Sequence, residues 1–409
     1  MTVCDIPEAQ EQYKAGKKSV GGAVGDLDSV QEAALRELWG RVLAHFDATA
    51  DAPIAVDSSL ARLDGPADGD AERAADARHQ TVRDKLHLDG AREAVVPATF
   101  APLFGDPADS RRFSHAFWQA CMRVPTPDAY LLAFLRVAGW SADVAFGRVV
   151  AAVTQRARQE VDRLMWDGDL GISHGLMVRG LSTTAGRDRF GYPVYIVTVR
   201  ANNPRARSDD AVRKYAAYAL EKLAIGARRA GRATLLYDFT DFKLENVDTA
   251  FTKTVITRIA ELYPQTISAT LLFVNSWLFT GIWKVLRGWM DQAVARRTVV
   301  VKDAAALATF VDRNQIVASM GGGLEYTYQY AYPTRAENAA MFDAAGRAAA
   351  EAAFAAAVAA FVAQTKAWVA DPALGHNCAP RAQAAAAFDA AATALDPFVR
   401  ARFPEERAS

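Results

Sequence analysis

Gly171-Ile172-Ser173-His174-Gly175 has the G-x-S-x-G spacing of a nucleophile elbow, where a strained strand-to-helix turn presents a serine for acyl transfer. The setting is wrong for that chemistry. The motif follows a helical pattern ending in Trp166-Asp167-Gly168-Asp169. Only His174 and His376 lie beyond the serine as bases, the second in an irregular tail. A loop accounts for the pattern, which leaves a serine hydrolase built on Ser173 as the less favoured alternative. Gly321-Gly322-Gly323 lacks the Gly-Lys-Ser/Thr ending of a phosphate loop, so nucleotide binding is not expected. Asp238 and Asp241 stand at the end of a β-type run, where ligand pockets often open. One such pair makes no metal site, and a strand-end turn or helix cap is the simpler role. The six histidines (45, 79, 87, 115, 174 and 376) show no ligand spacing. Arg296-Arg297 and Lys284/Arg287 are short basic clusters whose default is solvation.

The most unusual segment is Trp277–Met290, WLFTGIWKVLRGWM. On a helix, Phe279, Ile282, Trp283, Leu286 and Trp289 share a wide apolar stripe, and Gly281 and Gly288 weaken that helix by about 1 kcal/mol each relative to alanine. A bulky helix that propagates poorly suits a lid that moves or touches a membrane interface. A helix packed permanently on a sheet explains the stripe equally well.

These segments sit in a chain of 409 residues with 51% apolar and 23% charged residues, an ordinary globular mix long enough for two or three domains. Lys+Arg and Asp+Glu are both 47, so no global field steers the protein onto nucleic acid or an anionic surface. Three cysteines, far apart and odd in number, argue against a disulfide framework and cannot close a zinc site alone. The N-terminus carries acids where a signal peptide needs a basic and then an apolar run, so a reducing compartment is expected. Leu262–Trp283 carries no charge, yet Pro264, Gln265, Asn275, Ser276 and Gly281 divide it into a turn, a strand and a helix start rather than a membrane span.

The organisation follows from periodicity. Residues 1–28 are polar and aperiodic and are expected to be disordered. A helix starts at Ser29, with capping-box spacing to Glu32 and a stripe of Leu35, Leu38, Trp39, Val42, Leu43 and Phe46. Residues 47–112 read as linker or insertion within a helical N-terminal lobe of 29–170. Thr126-Pro127-Asp128 starts one further helix, and Ala142–Leu164 forms another. Then the period changes. Val194–Arg200, Ala233–Phe239, Ala269–Asn275 and Thr298–Val301 are β-type runs, separated by helical segments at about 208–227, 247–263 and 278–290. That alternation predicts an α/β unit over 171–330, with a largely parallel sheet buried on both faces. Residues 331–409 form an Ala-rich helical extension, with Phe354, Val358, Phe361 and Trp368 on one side of a long helix.

From about 115 to 330 the chain resembles, in order and spacing, the CRAL-TRIO lipid-binding family, in its branch of secretory-pathway phosphatidylinositol/phosphatidylcholine transfer proteins. Gly191-Tyr192-Pro193-Val194-Tyr195 resembles the family's GRPVY, Tyr237–Phe242 its MDMTGF, and Glu261-Leu262-Tyr263-Pro264 its NYPE. Leu272–Phe279 resembles VNAPWIF, followed by Gly281-Ile282-Trp283-Lys284, Trp289-Met290-Asp291 and Arg297. Met320-Gly321-Gly322 resembles LGG, and Asp128–Trp140 the family's DALLLRFLRARKFD helix. The resemblance implies an α/β CRAL-TRIO lipid-binding sheet with an all-helical N-terminal lobe and a long C-terminal helix.

It also implies function: one lipid held without covalent chemistry, in a pocket lined by Tyr195, Leu235, Tyr237, Asn275 and Val294. A gate helix carrying Trp277, Phe279, Ile282, Trp283, Leu286 and Trp289 closes that pocket. No metal or cofactor other than the lipid is implied, and no nucleic acid. The implied protein is a cytoplasmic monomer, peripheral to membranes, that touches their surface transiently. The family's inositol-phosphate positions fall here on Ala138, Gln265, Val294 and Arg297, so one carboxylate has become an amide and one cation is gone. Arg297 and Gln265, with Arg136, are the expected headgroup residues, and the family's strand Ser and Thr become Ala233 and Leu235. Phosphatidylinositol is the first ligand implied, with a sterol, fatty acid or other apolar ligand as the alternative.

Overall fold

The computed structural model describes residues 8–16, 23–49, 53–56, 95–97, 99–103, 105, 111–172, 174–204, 209–248, 261–274 and 295–407, with single positions 252, 255, 279, 283, 287 and 288. Most of the expected 47–112 linker, and the gate and pocket residues Asn275, Trp277, Ile282, Leu286, Trp289 and Val294, lie outside the described residues.

Residues 1–28 are not uniformly without structure: Glu8–Ala15 forms helix α1, docked on the sheet by Tyr13, which is only 4% exposed. α2, Ser29–Thr49, begins where the sequence places it, but its cap differs. Asp28 Oδ1 accepts from the amides of Val30 and Gln31, both at 2.9 Å, so Asp28 and not Ser29 is the N-cap. Glu32 is thereby released for a tertiary role, accepting from the His376 amide at 3.0 Å. α3 (Phe113–Cys121) and α4 (Pro127–Val137) follow, α4 with Pro127 in its first turn and the Thr126 hydroxyl accepting from the Ala129 amide. The expected 142–164 helix is two: α5, Ala142–Arg158, and α6, Val161–Asp167, separated where Glu160 takes a left-handed φ of 45°.

β1 (Ser182–Arg187), β2 (Pro193–Thr198), β3 (Ala233–Asp238), β4 (Ile267–Phe273) and β5 (Thr298–Val301) form one sheet in that order. β1 is antiparallel to β2 and the other pairs are parallel. β1 was not expected from STTAGR, an edge strand without an apolar run. It closes against the rest of the chain through Gly186 (φ 74°), where a Cβ would lie 2.3 Å from the Gln315 carbonyl oxygen. The crossover from β2 to β3 is α7, Asp209–Ala227, which covers one face of the sheet, packing Leu223 and Ala227 on Tyr195 and Leu235. The opposite face (Val194, Ile196, Leu236, Leu271, Phe273, Val299) is covered by α1 and the chain around 304–324. Gly321 and Gly322 make the tight turn of that return, since a Cβ on Gly322 would meet the Ile316 carbonyl oxygen at 2.0 Å.

The Ala-rich region holds the expected long helix, α8 (Ala344–Ala370), and a partner antiparallel in sequence sense after the 371–378 turn, α9 (Ala379–Val399). Both share a core with α2–α5: Phe354, Phe361, Trp368 and Phe388 pack with Trp39, Phe117 and Trp118. Asp128 ties the two parts, accepting from Trp39 Nε1 at 2.7 Å and from both terminal nitrogens of Arg381 at 2.6 Å. Among the described residues α8 is long and apolar enough to cross a membrane, but Phe354, Phe361 and Trp368 are buried in this core. Leu262–Trp283 instead contains β4, as its turn residues predict.

Candidate functional site

On the crossover face of the sheet, alternation along β2–β4 places Tyr195, Val197, Leu235, Tyr237 and Leu272 on one side. α7 covers the Tyr195 and Leu235 end, so these two sequence-selected pocket residues are packed floor beneath a helix. The Tyr195 hydroxyl donates to Ser182 Oγ at 2.6 Å. Farther along, Tyr237 is half-buried and Val300 is 37% exposed. Here two described members of the expected gate arrive. Phe279 is buried, its ring 4.7 Å from that of Phe239, and Trp283 stacks on Phe279 at 6.1 Å. Residues 279, 283, 287 and 288 are helical, and along the i, i+4 row Phe279 is buried, Trp283 half-buried and Arg287 exposed. An aromatic cluster of Tyr237, Phe239, Phe242, Phe279 and Trp283 therefore forms at the carboxyl ends of β3 and β4.

The opposite, amino-terminal edge of the strands is cationic. Arg232 immediately precedes β3 and Arg297 immediately precedes β5. Their Nη2 atoms both donate to Gln265 Oε1, at 3.1 and 3.2 Å. Gln265 holds that position from a left-handed backbone (φ 64°), a conformation that costs a side-chain-bearing residue about 1–3 kcal/mol and concentrates at functional sites. Arg136 joins from α4 of the helical lobe. Burial, and then the positive charges of Arg232 and Arg297, push its guanidinium down to about 10. Arg232 is lowered in the same way, by burial first and Arg297 second. The Arg136 Nε is buried without a hydrogen-bond partner among the described residues.

The expected headgroup residues Arg136, Gln265 and Arg297 are thus brought together, and Arg232 is a member that sequence reading missed. An arginine ahead of a buried strand reads as solvated; only the parallel pairing of β3 and β4 sets it beside Gln265. Ala138 is one turn-end away from Arg136, at the C-cap of α4, and supplies no charge. Two acids expected as strand-end groups behave so in part: Asp238 accepts from the Thr240 amide at 2.9 Å and from Arg200 at 3.0 Å.

The turn bearing Gln265 is anchored from below. Glu221 of α7, 0% exposed, accepts from Arg123 at 2.9 Å, from Arg156 at 2.5 Å and from the Tyr263 hydroxyl at 2.5 Å. A cavity of about 80 Å³ beside these groups has room for a few waters but not for a lipid. A larger, solvent-open depression, lined by Arg179, Arg200, Asn202 and Asn246, lies at the other end of β2. Ser173 lies outside the described residues. The 3₁₀ turn Gly168–Gly171 stands before it, where a nucleophile elbow requires a strand. No group of three metal-ligating side chains occurs among the described residues.

Residues 178–322 match the CRAL/TRIO domain. The phosphatidylinositol transfer protein CSR1 of Eremothecium gossypii is 26% identical over 251 residues, covering 59% of this chain and 57% of its own length. The Schizosaccharomyces pombe CRAL-TRIO domain-containing protein C3H8.02 is 25% identical over 231 residues, covering 55% and 52%. The match therefore spans little more than half the length of these relatives. The crystal structure of Sfh5 aligns with 65% of this chain and 94% of its own, with 11% identity and a TM-score of 0.41. The part of the chain that holds the sheet, residues 178–322, is thus similar to the CRAL/TRIO domain.

Proposed function

We propose that this protein is a lipid carrier. The lipid's apolar part lies along the crossover face of the sheet beneath the helix of Phe279 and Trp283, and its headgroup meets Arg136, Arg232, Gln265 and Arg297. One observation carries the reading: two arginines converge on Gln265 Oε1 at the amino-terminal ends of the strands, and an aromatic cluster lies at the carboxyl ends. A charged end and a greasy end of one sheet suit the two ends of an amphiphile.

Enclosure is what transfer demands. At ~0.8 kcal/mol per methylene, two acyl chains of about fifteen methylenes each represent roughly 24 kcal/mol of transfer from water. A lipid leaves a bilayer at a useful rate only when protein apolar surface replaces the bilayer as it departs. An anionic phospholipid of the phosphatidylinositol class fits the arginines, and the relative named a phosphatidylinositol transfer protein supports that choice. The carrier would work in the cytoplasm and touch membranes transiently. Native mass spectrometry of the purified protein, followed by transfer of labelled phosphatidylinositol between vesicles, tests the reading. A co-purified phospholipid mass and transfer lost in Arg297→Ala are expected. A co-purified sterol or fatty acid would move the assignment to the alternative ligand class, and a protein that binds and moves no lipid would end it.

A further inference from the structure

α1 lies outside the stretch that matches the CRAL/TRIO domain, yet it docks at the strand starts that follow Arg232 and Gln265. Glu8–Ala15 is eight residues long and buries Ala9 and Tyr13. A helix that short does not persist in water by itself, so the seat of Tyr13 is what keeps α1 in place. The Tyr13 ring packs against Phe190 and Phe310, at 4.2 and 5.1 Å between ring centres. Its hydroxyl reaches three pieces of the sheet at once. Tyr13 and Thr234 both donate to Asp188 Oδ2, at 2.5 and 2.6 Å. With its proton directed there, the Tyr13 oxygen is left to accept from Ser268 Oγ at 3.3 Å. Asp188 is held in turn by the Phe190 and Tyr192 amides, which donate to its other oxygen at 2.9 Å each.

β3 and β4 fall out of step at this place. Ala233 pairs with Ile267 but Thr234 pairs with Ala269, so Ser268 is one extra residue on β4. Bulges are rare between parallel strands, and a bulge re-aims the side chains beside it. Just ahead of this one, Arg232 donates to Gln265 Oε1 across the same two chain segments. The offset of β3 and β4 therefore governs whether that contact forms, and the Tyr13 oxygen is bonded to the bulged residue itself. Glu8, in the first turn of α1, is near enough to Arg232 to favour its charge.

Resting on the carrier reading above, we propose that Tyr13 is a positioning residue for the lipid headgroup. Seated on the bulge, its hydroxyl sets the offset of β3 and β4 at which Arg232 and Gln265 meet. Undocking of α1 removes that restraint and loosens the hold on the headgroup. The surface assigned to the acyl chains is untouched, because α1 lies on the opposite face of the sheet. Coupling of this kind is reciprocal, so a bound headgroup also holds α1 in its seat.

The test uses the full chain and phosphatidylcholine vesicles doped with phosphatidylinositol or with diacylglycerol, which carries the chains and no phosphate. Tyr13→Phe keeps the ring contacts and removes the hydroxyl. It should lower phosphatidylinositol uptake about fivefold, the size of one ordinary hydrogen bond, and leave diacylglycerol uptake within about twofold of native. Ser268→Ala leaves α1 intact and should show the same split, which decides the matter if Tyr13→Phe does not fold. Amide hydrogen exchange over residues 8–16 reads the converse. Phosphatidylinositol should slow it about fivefold in the native protein, diacylglycerol should not, and Tyr13→Phe should abolish the difference. Equal loss of both lipids, or native uptake of both, assigns Tyr13 to stability alone and overturns the proposal while the carrier reading stands. A native protein that takes up neither lipid overturns the carrier reading and the proposal with it.

Discussion

The hydroxyl of Tyr263 donates to the carboxylate of Glu221 at 2.5 Å, and this contact joins the turn that presents Gln265 to two buried arginines of the helical lobe. Tyr263 is two residues from Gln265, so the left-handed backbone of Gln265 is held by a group that never touches the headgroup cluster itself. The same carboxylate fixes where the lobe sits on α7, and so where Arg136 stands relative to Arg232 and Arg297.

Tyr263→Phe removes that hydroxyl and keeps the ring. Glu221 retains both arginines, so the cost in stability is expected at about 1–3 kcal/mol, the range for one lost buried hydrogen bond to a charged acceptor. Anionic phospholipid retention should fall several-fold more than binding of an uncharged apolar probe. Equilibrium denaturation beside lipid retention separates the two effects. Equal loss of both ligands would mean the contact supports the fold alone.

Glu221 also sets an acid limit. Burial pushes its carboxyl up, but the Arg156 and Arg123 guanidiniums and the Tyr263 hydroxyl more than offset this and hold it at about 2, below the ordinary 4.5. A depressed folded value gives stability that is complete above the unfolded value and fades as pH falls through the folded one. The difference represents on the order of 3 kcal/mol. Asp396 and Glu406 beside Arg400 are held low in the same sense, against the opposing push of burial. The melting temperature should therefore fall as pH drops from about 5 to about 3, with little change above about pH 6. Glu221→Gln should begin about 3 kcal/mol less stable, because it leaves Arg123 and Arg156 to share Asp162 as their carboxylate, and should lose less over that window. A native curve flat across the window would contradict this assignment.

The parts of the fold legible in sequence are those whose pattern is local. Thr298–Val301 and the 209–227 helix need only their own residues to be recognised, and the shift from helical to strand period marks where the sheet begins. α1 was missed because EAQEQYKA is short and polar, and only Tyr13, reaching Asp188 at 2.5 Å across the sheet, gives it a reason to be ordered. The Ala142–Leu164 pattern hid the break at Glu160, since hydrophobic spacing resumes in phase after one left-handed residue. Gln265 and Arg297 were named because they stand on family motif positions, and Arg136 as a cation beside one, Ala138. Arg232 was not, because its meaning depends on strand pairing and not on neighbours in sequence.

Asp128 and Arg381 form the bond between the helical lobe and the α8–α9 hairpin, and each is nearly inaccessible to water. Asp128→Ala strips Arg381 of its carboxylate and Trp39 of its acceptor, with an expected loss of about 3–5 kcal/mol. Replacing both, as Asp128→Leu with Arg381→Met, removes the uncompensated charge and should recover most of that loss. Urea denaturation of the two single variants and the double variant checks it. A double variant no better than Asp128→Ala would show that packing around Trp368, and not charge, controls the site.

Phe279 and Trp283 divide the work of the helix over the aromatic cluster. Phe279 is 4% exposed and packs its edge on Phe239, so Phe279→Ala removes a core contact and should cost about 3–5 kcal/mol as well as slow lipid exchange. Trp283 is half-buried and stacks on the outer side of Phe279, where it gives up less to water when replaced. Trp283→Asp puts a charge on the surface that a membrane or an acyl chain would meet, yet it leaves the Phe279–Phe239 contact in place. It should lower the melting temperature little, while binding to neutral phosphatidylcholine vesicles and transfer between them fall by about tenfold, since moving a charge into an apolar interface opposes both steps. Vesicle flotation and a labelled-lipid transfer assay on the same preparation read the two quantities. A Trp283→Asp protein that folds and still transfers lipid at the native rate would place the route of the lipid somewhere other than beneath this helix.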